Sequence, residues 1–182
     1  MKFLPTEIPD VVLIEPRVFA DDRGFFMETW QLEKFFAAGI KANFVQGNHS
    51  ASKQWVLRGL HYQIQQPQGK LVRAIVGEVF DAVVDLRRSS KHFKKTVSAV
   101  LSANNRRMLW VPPGFAHGFL VTSEHAEVSY YCTDYYAPQF ERSVAWNDPT
   151  LGIAWPIPTG VRPILNDKDA AAPRLSDAET FA

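Results

Sequence analysis

One cysteine, Cys132, is the only thiol in this 182-residue chain. That excludes an internal disulfide and any metal site built from several cysteines. Charge of neither sign dominates. Lys and Arg number 20 against 19 Asp and Glu, a net charge of +1. The balance gives no argument for a nucleic acid or a membrane surface, and leaves open a local basic pocket for a small anion. No apolar run approaches the roughly 20 residues of a membrane-spanning helix. The opening Met1-Lys2-Phe3-Leu4-Pro5-Thr6-Glu7 has neither the apolar stretch nor the cleavage pattern of a secretory signal. A reducing, cytoplasmic setting is the default expectation. The chain also lacks internal repeats, a P-loop, a Gly-x-Gly-x-x-Gly opening a helix, and a Gly-x-Ser-x-Gly elbow. Nucleoside-triphosphate, dinucleotide and serine-hydrolase readings lose support accordingly.

What is present is a core-forming composition, 46% hydrophobic, in a chain of a length suited to one domain over residues 1–182. Short apolar or alternating runs recur between turn signals. They are Val11–Ile14, Phe25–Thr29, Phe44–Ser50, Lys70–Leu86 (broken at Gly77-Glu78), Thr96–Leu101, Met108–Val111 and Glu127–Thr133. One helix is expected over Trp30–Ala38, capped by Thr29, with Leu32, Phe35 and Phe36 on one face and Gly39 as the stop. Beyond Trp146 the chain turns irregular, with Pro149, Pro156, Pro158 and Pro163. Many short strands with little helix predict an all-β sandwich or barrel. Val79, Asp81, Val83 and Asp85 share one strand face. Carboxylates alternating with valines point to a partly polar interior that could enclose a ligand.

The stretch Val56–Lys70 concentrates reactive side chains: Arg58, His61 and Lys70. Arg58 and His61 lie three apart, so an unbroken strand would point them to opposite faces. Gly59 between them can supply a bulge that re-aims one of them. A histidine moves protons near neutrality, and a lysine steadies the negative charge that results.

Several chemistries compete for these residues. Metal-binding jelly rolls commonly present His-x-His on one strand; here the position two after His61 is Gln63. Of the five histidines, His61 and His117 with a carboxylate remain as a three-ligand alternative. Cys132, set among tyrosines, reads as a buried inert thiol. Arg23, Arg58 and Lys70 could clamp a diphosphate, because guanidinium groups grip phosphate oxygens with two bonds. Phe26 or Tyr136 could stack on a nucleotide base, or pack in a core or an interface. His61, Lys70, Tyr130 and Asp169 together would suffice for proton transfer beside a carbonyl: a base, an enolate stabiliser, an acid and a carboxylate that orients the base.

The residues in order also resemble a known family. The matching segments are Asp22-Arg23-Gly24-Phe25-Phe26-Met27-Glu28, Phe44-Val45-Gln46-Gly47-Asn48-His49-Ser50, Val56-Leu57-Arg58-Gly59-Leu60-His61-Tyr62-Gln63 and Gln68-Gly69-Lys70-Leu71-Val72-Arg73. After them come Gly77-Glu78-Val79-Phe80-Asp81, Trp110-Val111-Pro112-Pro113-Gly114-Phe115-Ala116-His117-Gly118-Phe119, Trp146-Asn147-Asp148-Pro149 and Lys168-Asp169-Ala170-Ala171-Ala172-Pro173. Over nearly its whole length the chain resembles the dTDP-4-dehydrorhamnose 3,5-epimerases, which act on the route to dTDP-L-rhamnose for cell-envelope polysaccharide. The resemblance implies a mainly β, cupin-type jelly-roll barrel or sandwich with short flanking helices. It implies a homodimer with shared active sites, acting on dTDP-4-dehydro-6-deoxy-D-glucose without metal or organic cofactor. By similarity, His61 is the base, Asp169 its orienting carboxylate, Tyr130 the acid, and Lys70 the neighbour of the C4 keto oxygen. Arg23, Gln46, Asn48, Arg58, His117, Glu141 and Lys168 match substrate-binding positions. Glu28 matches a contact to thymine and Tyr136 the residue stacked on it, and Arg23, Phe26 and Glu28 would reach the neighbouring subunit's site. The chain departs from the family's usual Leu-Tyr-Lys at Ser129-Tyr130-Tyr131, and from a common Asp at Gly47. A relative that epimerises only C3 or C5 is therefore the first alternative. A metal-dependent cupin enzyme and a non-catalytic nucleotide-sugar binding module are more distant ones.

Overall fold

Alternation of apolar and polar residues sets most of this chain into strands, and its computed structural model describes residues 1–182. In chain order the strands are β1 (Lys2–Pro5), β2 (Val12–Glu15), β3 (Val18–Asp21), β4 (Gly24–Met27), β5 (Gln46–Lys53), β6 (Leu57–Gln63) and β7 (Lys70–Val76). They continue with β8 (Glu78–Asp85), β9 (Thr96–Ser102), β10 (Met108–Val111), β11 (Phe115–Val121), β12 (His125–Cys132) and β13 (Glu141–Ser143). Two short helices join them, α1 (Leu32–Ala37) and α2 (Asp167–Ala170). One sheet runs β1-β2-β10-β7-β12-β5, the other β13-β6-β11-β8-β9, and β3-β4 forms a separate ribbon. Neither sheet closes on itself, so the expected mainly β, cupin-like jelly roll takes the sandwich form.

The main core lies between the two sheets. Val72, Ala74, Leu109 and Val128 from the first meet Val79, Val83, Leu101, Phe115 and Phe119 from the second. The first sheet also buries part of its outer face, where Leu71, Met108 and Trp110 pack with Phe35 of α1. Gly77 carries the chain from β7 in one sheet to β8 in the other. Its φ is +67°, and a Cβ there would lie 1.9 Å from the His125 carbonyl oxygen, so only glycine fits.

The expected helix starts later than its sequence suggested. Thr29 does not cap it; Gln31 does, its side chain accepting the Lys34 N–H at 2.7 Å. A glutamine oxygen can reach an N–H three residues on, and Trp30 instead packs edge-on against Phe44. The stop at Gly39 holds: Gly39 N–H donates to Phe36 O and Ile40 N–H to Phe35 O, the Schellman pattern that a glycine in the left-handed region permits. Of the three aromatic and aliphatic residues expected on one face, only Phe35 is buried; Leu32 and Phe36 stay exposed.

Strand β6 contains the irregularity that Gly59 suggested. His61 pairs with His117 and Arg58 with Phe119 on β11, so two residues of β6, Gly59 and Leu60, lie opposite the single Gly118 of β11. His117 and Phe119 share a face by the period of two, and the bulge therefore turns Arg58 and His61 to that same face. The strands approach closely here. A Cβ on Gly118 would sit 2.6 Å from Arg58 O and 3.0 Å from Gly59 Cα. Gly118→Ala is expected to destabilise the fold by about 1–3 kcal/mol, as overpacking does, measured by urea denaturation. An unchanged midpoint would show that the two strands can part without cost.

Candidate active site

Two adjoining cavities of about 290 and 270 Å³ open between the sheets and share His61, Lys70, Tyr130, Tyr136 and Glu141. The first is also lined by Gln46, Asn48, Gln63 and Gln68, the second by Ser50, Arg58, His117, Lys168 and Asp169. The walls come from different sheets. His61 stands on β6 and His117 on β11, while Lys70, Tyr130 and Asn48 stand on β7, β12 and β5 of the other.

His61 and Asp169 meet although 108 positions separate them in the sequence. Asp169 is 2% exposed, and its Oδ1 lies 2.5 Å from His61 Nε2. An ionised carboxylate only accepts, so Nε2 carries the proton and Nδ1 is the nitrogen free to act as a base. Asn166 caps the helix that delivers Asp169, accepting the Asp169 N–H at 2.7 Å. A second pair lies alongside: His117 Nε2 faces both oxygens of Asp81 at 3.0 and 2.9 Å, and Asp81 is fully buried. The alternation of carboxylates and valines on β8 pointed to such a polar interior, but not to the partner of Asp81.

The charged groups divide by partner. Burial pushes Lys70 below the ordinary lysine value, against the pull of the Asp81 and Glu141 carboxylates. Burial raises Tyr130, aided by the neighbouring Cys132 and Glu141, so its phenol keeps its proton at neutral pH. Cys132 is buried and its thiol is likewise pushed up by burial, while Asn48 Nδ2 lies 3.6 Å from its sulfur. Glu141 accepts from Lys168 Nζ at 2.7 Å and from the Tyr136 hydroxyl at 3.0 Å. Burial pushes Glu141 up, yet those partners outweigh it and hold its carboxyl below the ordinary value. Arg58 donates from Nε to Ser52 Oγ at 3.1 Å, a neutral partner that leaves its charge uncompensated.

Thus His61, Lys70, Tyr130, Asp169, Gln46, Asn48, Arg58, His117, Tyr136, Glu141 and Lys168 come together around one cleft. Arg23, Phe26 and Glu28 do not. They lie on or just after the β3-β4 ribbon, where Arg23 pairs with Asp21 at 2.6 Å and Glu28 with Lys34 at 2.6 Å, and Phe26 is 70% exposed. Gln63, Gln68 and Asn166 are the cleft or support residues that sequence reasoning gave no role. No three of the His, Cys, Asp and Glu side chains are placed to hold a metal ion; His61 and His117 each turn Nε2 to a carboxylate.

A lysine whose folded pKa is lowered binds fewer protons folded than unfolded. Stability should therefore rise with pH across the window from the folded value up to the unfolded value of about 10.4. Lys70→Met should flatten that rise in denaturant unfolding measured as a function of pH. A rise that persists unchanged would assign it to another group.

A family model of the dTDP-4-dehydrorhamnose 3,5-epimerases matches residues 5–177. The chain is 54% identical over 182 residues to the dTDP-4-dehydrorhamnose 3,5-epimerase of Pseudomonas aeruginosa, covering 100% of this chain and 99% of that one. It is similar to the crystal structure of dTDP-6-deoxy-D-glucose-3,5-epimerase from Legionella pneumophila in complex with dTDP-4-keto-L-rhamnose. That match has a TM-score of 0.92 and 48% identity, over 96% of this chain and 93% of the other. It is also similar to a 3′-monoepimerase from Streptomyces bikiniensis in complex with dTDP-quinovose, with a TM-score of 0.87 and 32% identity, over 94% and 87% of the two chains.

Proposed function

The chain belongs to the dTDP-4-dehydrorhamnose 3,5-epimerase family, and from that premise we propose that it inverts C3 and C5 of dTDP-4-dehydro-6-deoxy-D-glucose by proton transfer, with no metal or organic cofactor. The product is dTDP-4-dehydro-L-rhamnose. The observation that carries this reading is the placement of His61 and Tyr130 on opposite walls of one cleft, with the half-buried Lys70 beside them. A C4 ketone acidifies the protons on C3 and C5. His61 Nδ1 takes each proton in turn, while Asp169 holds the ring and balances the imidazolium that forms. Lys70 holds the enolate oxygen, where its ammonium charge counts most in a site shielded from water. Tyr130, on the other sheet, returns a proton to the opposite face of the sugar, and that change of face is the inversion.

The nucleotide half of the substrate fits the rest of the cleft. Arg58 and Lys168 supply charge for the diphosphate, and Tyr136, half-exposed at the mouth, offers a ring on which thymine can stack. Gln46, Asn48, His117 and Glu141 complete the binding set. We assign residues 1–182 to one domain working in the cytoplasm. No helix in it is long and apolar enough to cross a membrane. The domain works as a homodimer, with Arg23, Phe26 and Glu28 serving the neighbouring subunit's site. Supporting this, the β3-β4 ribbon pairs with no other strand and leaves Phe19, Phe25 and Phe26 at least half exposed, a patch that favours a protein partner.

Proton NMR of the substrate in deuterated water, with a chelator present, tests the reaction. Deuterium should enter at both C3 and C5. Entry at one carbon only would turn the assignment toward a monoepimerase and toward the Ser129-Tyr130-Tyr131 departure, and no entry would leave only binding. His61→Ala should abolish exchange at both carbons, a loss of about 10²–10⁴-fold, with dTDP binding retained. Tyr130→Phe should slow product formation more than exchange; equal losses would remove Tyr130 from the acid role.

The shared site has its own test. Mixing His61→Ala subunits with Arg23→Ala subunits should restore activity, because one of the two sites in the hybrid then has both residues intact. Light scattering should give twice the chain mass. A monomer, or a mixture as inactive as its parents, would end the shared-site reading.

A further inference from the structure

Residues 134–137 carry the Tyr136 ring to the mouth of the cleft, and their backbone is held by side chains from elsewhere. Four successive residues each give one main-chain group to a glutamine. The Asp134 carbonyl accepts from Gln68 Nε2 at 2.9 Å and the Tyr135 carbonyl from Gln63 Nε2 at 3.2 Å. The Tyr136 N–H donates to Gln46 Oε1 at 2.8 Å and the Ala137 N–H to Gln63 Oε1 at 2.8 Å. The three glutamines come from β5, the end of β6 and the loop before β7, so the segment is gripped from three sides.

Gln63 is the centre of this arrangement. It is 4% exposed, and its amide also donates to Gln66 O at 2.7 Å, so both ends of the amide are committed. Only an amide can do this at one position. A carboxylate could not donate to two carbonyls, and an ammonium could not accept from the Ala137 N–H. Gln63 stands two residues after the base His61 and shares its pocket wall. A metal-binding jelly roll uses that position for a second ligand; here the amide is spent on the loop.

We propose that Gln63, with Gln46 and Gln68, forms a cradle that fixes Tyr136 as a rigid platform for the nucleobase, which makes Gln63 a positioning residue for nucleotide binding. The inference rests on the reading of Tyr136 as the base platform. A loop already ordered has less freedom to lose when the base arrives, and that saving enters affinity directly. The chemistry at C3 and C5 does not pass through this loop, so turnover at saturating substrate should not change.

The test combines calorimetry with free dTDP, steady-state kinetics, and the double variants with Tyr136→Ala. Gln63→Ala removes two hydrogen bonds to the loop and should weaken dTDP binding and raise KM about five- to tenfold, the part of that loss expected to reach the ring, with kcat unchanged. Gln63→Glu, equal in shape but unable to donate, should bind at least as poorly. In a Tyr136→Ala background the Gln63→Ala loss should vanish, because the ring being positioned is gone. Gln68→Ala, at a half-buried position, should show the same pattern more weakly and guards against a Gln63 variant that fails to fold. If Tyr136→Ala weakens dTDP but the glutamine variants do not, or if their losses add independently of Tyr136, the cradle is overturned and the platform stands. If Tyr136→Ala binds dTDP as well as the parent, the platform reading and the cradle fall together. A fall in kcat at constant KM would move Gln63 to a role in holding β6 and His61.

Discussion

One contact, His61 Nε2 to Asp169 Oδ1, joins residues 108 positions apart and ties the C-terminal segment to β6. Asp169 is buried, and its other oxygen has only the Gly59 N–H at 3.4 Å. A carboxylate in that position without its imidazole would be an uncompensated buried charge, a cost of roughly 3–5 kcal/mol. The chain secures it from both sides. Before α2, Ile164 pairs with Val56 as an isolated parallel bridge. After α2, Pro173 O accepts the Ala145 N–H at 2.7 Å and Asp148 Oδ2 accepts the Leu175 N–H at 2.7 Å. Further on, Phe181 bridges to Arg87 and the Tyr62 hydroxyl donates to Glu179 O. The segment has almost no regular structure and is still held at closely spaced points.

Much of this architecture was legible in the amino-acid pattern, and the reasons are physical. Alternation records which side of a strand is buried, so most strands and the polar face of β8 could be read directly. Gly59 between Arg58 and His61 announced a bulge, because two charged side chains three apart share a face only if the strand gains a residue. Gly77 announced a break, although not that the chain changes sheets there. What could not be read is pairing. Nothing local says that Asp81 belongs to His117 and Asp85 to Arg87, though both carboxylates sit in the same alternating run. The first ends beside the cleft; the second, held also by Ser90, is part of the frame. The α1 start was misplaced for a related reason: Thr29 and Gln31 can both cap, and the packing of Trp30 on Phe44 decides between them.

The candidate site divides the same way. His61, Lys70, Tyr130 and Asp169 were named by their chemistry and by resemblance, and they converge on one cleft. Arg23 and Phe26 were named for phosphate and base chemistry as well as by resemblance, and Glu28 by resemblance alone; within one chain all three stay on or beside the ribbon. Gln63 and Gln68 escaped notice because their work is on backbone groups. A side chain that satisfies a loop's carbonyl and N–H leaves no trace in charge, periodicity or reactivity, and only the folded chain shows which main-chain groups lack a local partner.

On the proposed function, local charge in the cleft is what suits a nearly neutral chain to a dianionic diphosphate. Of the cleft's cations, Lys168 is engaged by Glu141, Arg58 has only neutral partners within bonding reach, and Lys70 meets Asp81 and Glu141 through space. The charge is therefore graded along the cleft. Arg58 has no carboxylate partner, whereas Lys168 is paired with Glu141. Lys70, made reluctant to stay charged by burial, gains most when negative charge develops beside it. A cation destabilised at rest and relieved by a forming enolate raises the rate, whereas one already satisfied would only tighten binding. In the proposed reaction, the same placement that depresses Lys70 suits it to the reacting carbonyl, and the better-solvated cations suit the part of the substrate that does not react.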